Sequence, residues 1–496
     1  MIARLAYVLP RETLIDDVYI TLRYALNVLH GEGMVFNPGE PVYGASSPLY
    51  TLLLSGIALV LSREVLVVIL PWMGTLCLAG FVSLVWSLLP ITLFARIVMT
   101  MALLSYPRIF YASTGGMEEC LILLFMGLSV FAHLRGRPVV LGLMCGLLFI
   151  TKVDTLVWIT CILVLEAVVR KKVPWSALAI AFLVSLPWLA YSLSRYGTII
   201  PHTVDAKRVA YVASEGSRLL DAVQFTVPAP FQGNAAVLIL FAVGVYGVLG
   251  AAIVRAARKK EFLFLLFPIY CLGYTILLLF SGTSSGLWER WTVPHWGMFL
   301  LTLGYVVNPV GLIQGLRRGD GLKRGVWIGL ALLYLCGLAA SFVYPYRMSP
   351  DPKASSQAGQ WLRAHGAPGE SVMLEPIGLI GYLSNLYVHD FIGLVSPRVT
   401  EGRKATPSSN RWFTRYLKES EPTFIVLRAR EIGRNEFLYG GYGDSVFLPA
   451  EKEWFALAYG LTFQTTDGES EEQLVVYVKR NRAGPPGSFP HLREGD

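Results

Sequence analysis

Charged residues are scarce in this sequence. They make up 15% of the 496 residues, against about 25% in an average soluble protein, while hydrophobic residues make up 54%. Long uncharged runs recur between Pro48 and Tyr344, and each is near the roughly 20 residues that cross a bilayer core. A soluble globular chain is thereby excluded, and the composition predicts a polytopic α-helical membrane protein.

Cysteine is also scarce. The six cysteines all lie in apolar runs, none in CxxC spacing, so we interpret them as packing residues. None follows Tyr344, which excludes a disulfide framework in the C-terminal part. Charges become frequent there and no run could span, so we predict a transmembrane domain over 1–344 and a separate soluble domain over 345–496. That domain is predicted to be α/β from one helix pattern and three runs of strand composition, at 355–365, 371–376, 422–427 and 473–479.

The net charge of +8 would suggest a nucleic-acid partner in a soluble protein. Much of the basic excess lies instead in four short loops between apolar runs: Arg135–Arg137, Arg170–Lys172, Arg255–Lys260 and Arg317–Arg324. Basic residues are typical of the cytoplasmic loops of membrane proteins. No nucleic-acid partner is therefore predicted. With these loops in the cytoplasm, both chain ends lie outside and about ten spans result. We predict the spans at 65–89, 91–112, 117–134, 138–151, 153–169, 174–194, 235–254, 262–281, 291–309 and 326–344.

Two short features of this topology matter for function. If the apolar run 48–61 spanned, the acids Asp16 and Asp17 would face the opposite side from Glu118. We therefore predict an interfacial or re-entrant helix on the outer surface there, after a first outer loop at 12–47. The short spans 138–151 and 153–169 resemble a hairpin whose tip carries Lys152 and Asp154. Charges at that depth normally face a cavity or each other. We therefore predict either a functional cavity at the hairpin tip or a local ion pair between Lys152 and Asp154.

The predicted outer face thus combines several acids with several cations. An acid acting as base and cations that hold an anion are what group transfer from a phosphate ester requires. No metal-spaced His/Cys cluster and no glycine-rich phosphate loop is visible, so no cofactor is predicted, although a divalent cation stays possible. Simpler readings exist: the two aspartates or Glu118 could cap helices, and Arg290 could be an interfacial anchor beside tryptophans.

The segment DDVYITLRYALNVLHGEGMVFNPGEPVYGASSPLYTLLL, residues 16–54, resembles the opening motif of a bacterial family in the GT-C superfamily of integral membrane glycosyltransferases. Its relatives include the terminal arabinofuranosyltransferases of the mycobacterial cell wall. The similarity continues through STGGMEECLILLF (113–125), GLLFITKVDTLV (146–157), RYGTIIPHTVDAKR (195–208), ERWTVP (289–294) and the segment 360–397. It therefore extends over most of the chain.

This resemblance implies a GT-C fold in the bacterial inner membrane, with the soluble domain on the outer face. It implies an inverting transfer from a polyprenyl-phosphate sugar to a hydroxyl of a cell-envelope glycan or lipid. Asp16 and Asp17 would be the catalytic pair, with Asp17 favoured as the base and Asp16 as the N-cap of its own helix. The remaining implied roles are donor-phosphate binding by Arg23, Lys207 and Arg290, and sugar or acceptor binding by Glu118, Lys152, Asp154 and His202.

The sequence departs from the family pattern at three places. Only 15 residues precede Asp16, where the family has a full apolar span, so either the start lies upstream or that span is lost. The hairpin tip reads Lys-Val-Asp instead of Arg-Pro-Glu, and His202 replaces an asparagine. Two alternatives to an active transferase stay open: a transporter or flippase of lipid-linked sugars, and a non-catalytic GT-C subunit.

Overall fold

The computed structural model describes residues 14–89, 93–211, 235–281, 292–307, 352–405, 411–428, 449–466 and 473–482. These parts are mostly helical, with one small sheet. In chain order the elements are α1 (Asp16–Leu29), α2 (Pro48–Ala58), α3 (Arg63–Leu88), α4 (Leu93–Ser105), α5 (Pro107–Thr114), α6 (Glu119–Leu134), α7 (Pro138–Thr151), α8 (Leu156–Arg170), α9 (Trp175–Tyr196), α10 (His202–Ala210), α11 (Ala235–Lys259), α12 (Phe262–Ser281), α13 (Val293–Val307), α14 (Pro352–His365), β1 (Ser371–Leu374), α15 (Gly378–Ser384), β2 (Tyr387–Asp390), α16 (Pro397–Ala405), α17 (Arg411–Ser420), β3 (Phe424–Arg428), α18 (Pro449–Ala458), β4 (Tyr459–Gln464) and β5 (Leu474–Lys479).

The chain divides into two compact units. The first, here called the helical unit, comes from Val67–Leu189 and Ala213–Tyr346. The second, here called the sheet unit, joins Leu14–Leu66 and Ala190–Val212 to the C-terminal part from Arg347. The predicted boundary at 344/345 falls among residues that the structure does not describe, and it stays a prediction.

The helical unit is held together by close helix packing over an apolar core. Trp158 is fully buried and stands edge-on to the ring of Tyr270 in α12. On α7, Gly142 and Gly146 face α9, and a Cβ at Gly142 would lie 2.4 Å from the carbonyl oxygen of Ala177. Small residues four apart let membrane helices approach to backbone contact. The sequence GLMCG therefore explains why the short helix α7 packs so closely on α9.

Four of the described helices are long and apolar enough to cross a membrane: α3, α9, α11 and α12. The chain is thus a multi-pass membrane protein, but the predicted ten spans are not confirmed. Helices α7 and α8 have only 14 and 15 residues, too short for a perpendicular crossing of a bilayer core about 30 Å thick. The last predicted span, 326–344, lies outside the described residues.

The predicted span 91–112 is broken in the structure. Helix α4 ends at Ser105 and α5 begins at Pro107, because a residue before proline is disfavoured in the α conformation. A second break follows at residues 115–118, where the chain bends by 106° between α5 and α6. Gly116 has φ +82° at this bend, a conformation that suits glycine. Hydropathy detects apolar length but not such breaks.

The sheet unit contains a five-stranded mixed sheet with strand order β2-β1-β3-β5-β4. Strand β1 is parallel to β2 and β3, whereas β5 is antiparallel to β3 and β4. Its core includes Phe413, Ile425 and Val475. The three predicted strands correspond to β1, β3 and β5, and the predicted helix to α14, so the α/β composition is confirmed. Strands β2 and β4 were not anticipated, because YVHD and YGLTFQ carry polar residues or glycine.

The predicted topology can be tested at the start of α3. Ser62 is exposed there, and the prediction places it on the outer side, just after the helix α2 that we expect to lie along the interface. A Ser62→Cys variant should react with an impermeant thiol reagent applied to intact cells. Lys172→Cys, in an exposed basic loop, is the matched control and should react only after permeabilisation. The reverse pattern of labelling would overturn the topology.

Candidate active site

The two predicted catalytic aspartates open helix α1 of the sheet unit. The N-cap of α1 is Ile15, which makes no side-chain cap, so the expectation that Asp16 caps its own helix is wrong. The carboxylate of Asp16 instead accepts hydrogen bonds from the main-chain N–H groups of Gly378 (2.9 Å) and Leu379 (2.8 Å). These are the first two residues of α15, whose N–H groups have no partner within their own helix. Asp16 therefore caps a neighbouring helix.

Burial controls the titration of Asp16. Desolvation raises the pKa of Asp16 to about 7, and the negative charges of Asp17 and Glu375 add to the increase. The two N–H hydrogen bonds lower the pKa of Asp16 in the opposite direction, because they favour the carboxylate. Asp17 itself is half-buried in the first turn of α1. The pair therefore contains at least one acid, Asp16, that main-chain donors hold in place.

Arg23 lies on the same face of α1 as Asp16, seven residues later. Its side chain is buried, and its guanidinium donates to the main-chain oxygens of Phe36 (2.9 Å), Gly381 (2.7 Å) and Leu386 (2.6 Å). Burial lowers the pKa of Arg23 to about 10, which leaves it charged at neutral pH. Its donors thus hold the main chain together, and this structural role differs from the phosphate binding that the resemblance implied for Arg23.

The NPGE segment of the opening motif forms a tight turn against strand β2. The N–H of Glu40 donates to the carbonyl of Asn37 (3.1 Å), and Gly39 has φ +83°, as a type II turn with proline before glycine requires. The Asn37 amide donates to the carbonyl of Val388 (2.9 Å) and accepts from its N–H (3.0 Å). Glu40 accepts a hydrogen bond from the hydroxyl of Tyr387 (2.6 Å). The motif asparagine therefore pairs with a strand of the C-terminal sheet.

His202 and Lys207 lie on helix α10 of the sheet unit. The Nε2 atom of His202 is 3.0 Å from the carbonyl oxygen of Gly393 and 3.2 Å from the hydroxyl of Thr400. Burial lowers the pKa of His202, so it is mainly neutral at pH 7 and donates to the Gly393 carbonyl. Lys207 is half-buried on the same helix. His202 thus contacts the protein itself, and its predicted contact with substrate is untested.

The other predicted site residues meet in the helical unit. The Lys152 ammonium lies 2.9 Å from a Glu118 oxygen and 3.9 Å from a Glu119 oxygen, and both glutamates are fully buried. Asp154 accepts a hydrogen bond from the hydroxyl of Tyr274 (3.0 Å) in α12. The alternative of a purely local Lys152–Asp154 pair is therefore not what the structure shows. The charged tip of the hairpin joins α6 and α12.

This cluster lines a small cavity. Glu119, Lys152, Asp154 and Tyr274 contribute its polar wall, and Trp158 contributes to the apolar side. The free space holds about one water molecule, so it matches a single hydroxyl group better than a whole sugar ring. Two carboxylates, of Glu119 and Asp154, and the Lys152 ammonium line it within the described residues, and carboxylates are good acceptors for hydroxyl groups. The remaining predicted residue, Arg290, lies outside the described residues.

Comparisons with known proteins agree with this architecture. Residues 346–477 match a family model described as a domain of unknown function, DUF8728. No curated protein matches the chain. The crystal structure of ArnT from Cupriavidus metallidurans in the apo state has a similar fold, with a TM-score of 0.55 and 13% identity over 96% of each chain. The structure of the same protein bound to undecaprenyl phosphate gives a TM-score of 0.51 and 14% identity, over 97% of this chain and 98% of ArnT.

This likeness confirms the predicted GT-C fold class. It extends across both units, so it includes the transmembrane helices and the C-terminal part alike. The resemblance to arabinofuranosyltransferases in particular finds no support in these comparisons. The fold is therefore known more precisely than the sugar.

Several residues that contact Asp16 in the sheet unit or Lys152 and Asp154 in the helical unit were not predicted from sequence. Tyr274 follows Tyr270 by one helical turn in an apolar helix, which looks like ordinary core packing until Asp154 is placed beside its hydroxyl. Gly378 and Leu379 act through their main-chain N–H groups, which no side-chain pattern reveals. Glu119 is placed beside Glu118 on the outer face by the predicted topology, but no role was assigned to it, although two adjacent acids in an apolar run are expensive to bury without a function.

Proposed function

We propose that this chain is a membrane glycosyltransferase that takes its sugar from a polyprenyl-phosphate donor. The observation that carries the proposal is the likeness in fold to ArnT over nearly the whole of both chains. One of those ArnT structures is bound to undecaprenyl phosphate. A lipid phosphate of this kind is the leaving group of the proposed reaction.

The reaction is a single displacement with inversion at the anomeric carbon of the sugar. An acceptor hydroxyl oxygen forms a bond to that carbon while the bond to the phosphate oxygen breaks, and the electron pair leaves with the lipid phosphate. The hydroxyl proton passes to a carboxylate acting as general base. We propose Asp17 for this role; both oxygens of Asp16 accept main-chain hydrogen bonds, which suits Asp16 to holding α15 in place.

Cations are needed where the phosphate leaves, because its charge grows as the sugar departs. We propose Arg290 and Lys207 for this role. Arg23, the third cation that the resemblance implied, binds main-chain carbonyls instead. Arginine suits a phosphate through its fork of donors, and lysine acts as a point charge.

Hydroxyl recognition is the role we propose for Glu118, Lys152 and Asp154. The support is that Lys152 and Asp154 line a cavity of about one water, while Glu118 pairs with Lys152 and Tyr274 donates to Asp154. A single hydroxyl of the sugar or acceptor would fit this space. We further propose that the sheet unit faces outward from a bacterial inner membrane, where the acceptor would be a cell-envelope glycan or lipid. His202 stays a candidate for acceptor binding.

Binding of undecaprenyl phosphate to the purified full chain tests this proposal. We expect measurable affinity for undecaprenyl phosphate and little for undecaprenol, which lacks the phosphate. Arg290→Ala should weaken binding by about 10-fold or more, because a charge-assisted hydrogen bond is worth roughly 1.5–3 kcal/mol.

The matched control is Arg398→Ala, which removes an exposed arginine paired with Glu419 and should leave the affinity unchanged. Equal binding of the phosphorylated and unphosphorylated lipids would contradict a phosphate site. Unchanged affinity in Arg290→Ala would instead assign that residue to interfacial anchoring.

A further inference from the structure

Two charged side chains of helix α1 bind the main chain at opposite ends of helix α15. Asp16 binds the first two N–H groups of α15, and Arg23 binds the carbonyl oxygens of Gly381 and Leu386 toward and beyond its other end. The two side chains are seven residues apart on α1, about 10 Å along the axis, and α15 is itself seven residues long. The acid thus lies at the positive end of the α15 dipole and the cation at its negative end.

The first contact requires glycine at position 378. A Cβ at Gly378 would lie 2.0 Å from the main-chain oxygen of Asp16 and 2.3 Å from its carboxylate oxygen Oδ2. No real Cβ tolerates such distances, so any other residue would push the start of α1 away. The contact with Asp16 therefore depends on the missing side chain at residue 378 as well as on the two hydrogen bonds.

A second attachment follows in the chain. Beyond α15, the Asn37 amide forms two hydrogen bonds with the main chain of Val388, and Tyr387 donates to Glu40. Residues 16–40 are thus bound to residues 378–388 at three places: Asp16, Arg23 and the Asn37–Glu40 turn. We call residues 378–388 the anchor segment. Both segments belong to the sheet unit. The anchor segment lies inside the stretch that matches the domain of unknown function.

We propose that the anchor segment positions the first turn of α1, which carries Asp16 and Asp17, so that the matched C-terminal domain is a working part of the active site. Asp16 is a positioning residue: its anchored carboxylate fixes the first turn of α1 and with it the direction of the adjacent Asp17. This inference rests on the proposed glycosyl transfer for its catalytic consequence. The anchoring itself does not depend on that function.

Hydrogen exchange measured by mass spectrometry tests the anchoring without any substrate. In the full chain, Asp16→Ala should speed exchange at residues 378–386 by about 10-fold or more. The reason is that the variant loses the two charge-assisted hydrogen bonds from the Gly378 and Leu379 N–H groups, which hold the start of α15. Strand β5 should exchange as in the wild type. The matched control is Asp205→Ala, which removes an exposed acid of the same unit paired with Lys404 and should leave 378–386 unchanged.

Turnover tests the catalytic consequence. Gly378→Ala should lower kcat by about 10- to 100-fold, since misplacing a catalytic group by about 1 Å can cost up to ~10² in rate. Affinity for undecaprenyl phosphate should change less than about 2-fold, a split that general unfolding would not produce. Gly56→Ala is the control, because a Cβ at Gly56 has no atom within 4 Å.

The outcomes of these experiments distinguish failure of the anchoring proposal from failure of the proposed glycosyl transfer. Unchanged exchange at 378–386 in Asp16→Ala would overturn the anchoring, even if the wild type transfers sugar. Normal kcat in Gly378→Ala, with faster exchange in Asp16→Ala, would leave the anchor as a structural contact and overturn its positioning role. A wild type that anchors as described but transfers no sugar would contradict the proposed function alone.

Discussion

Asp17→Asn is expected to lower the turnover of sugar transfer by at least about 100-fold, because general-base catalysis typically contributes about 10²–10⁴. Asparagine keeps the size of the side chain but cannot accept the acceptor's proton. The variant should still insert into the membrane and bind undecaprenyl phosphate. Asp16→Asn should lose less turnover and more thermal stability, since its amide nitrogen would face an N–H group of α15.

Measurements of kcat, lipid affinity and melting temperature on the two variants decide the assignment. Near-normal turnover in Asp17→Asn together with an inactive, stable Asp16→Asn would reverse the roles within the pair. Activity in both variants and in the double variant would show that the acids serve only the fold. The general base would then have to be sought at Glu118 or Asp154.

Lys152→Met is expected to destabilise the protein by about 3–5 kcal/mol, because it leaves buried carboxylates without their cation. Methionine is unbranched and only one atom shorter than lysine, and it lacks the charged ammonium that donates to Glu118. The melting temperature in detergent should fall accordingly. Adding Glu118→Gln to this variant should restore part of the loss, because one uncompensated acid is then removed.

Arg398→Met is the control for this prediction. It breaks the ion pair between Arg398 and Glu419, whose side chains are both exposed, and should cost at most about 1 kcal/mol. A Lys152→Met protein that melts like the wild type would mean that Glu118 and Glu119 are neutral in the native state. The hairpin tip would then not be an ion-pair site.

The fold could be predicted from sequence as far as hydropathy and local patterns reach. Apolar runs place the long helices, and three runs of strand composition place β1, β3 and β5. The number of spans could not be predicted, because apolar length does not reveal the break before Pro107 or the bend at residues 115–118. Hydropathy measures transfer into lipid, whereas helix breaks depend on backbone geometry.

The predicted site residues stay a prediction, and their contacts in the structure could not be read from the sequence. Asp16 and Arg23 share a helix face by their spacing of seven residues, yet the two N–H groups that bind Asp16 lie 362 and 363 residues later in the chain. Likewise, Lys152 and Asp154 are near neighbours in sequence, but Lys152 pairs with Glu118 and Asp154 with Tyr274. Lys152 leaves α7 in an extended conformation, so its side chain reaches α6. Such partners are set by tertiary packing.

The most direct test of this account is transfer of a radiolabelled sugar by the purified full chain. A panel of polyprenyl-phosphate hexoses and pentoses would be offered with a cell-envelope extract as acceptor, using wild type and Asp17→Asn. The account predicts label in an acceptor and release of polyprenyl phosphate by the wild type, and at least about 100-fold less with Asp17→Asn. Binding of labelled donor without transfer from any of these sugars, or its movement across vesicle membranes intact, would contradict a transferase and favour a non-catalytic subunit or a flippase.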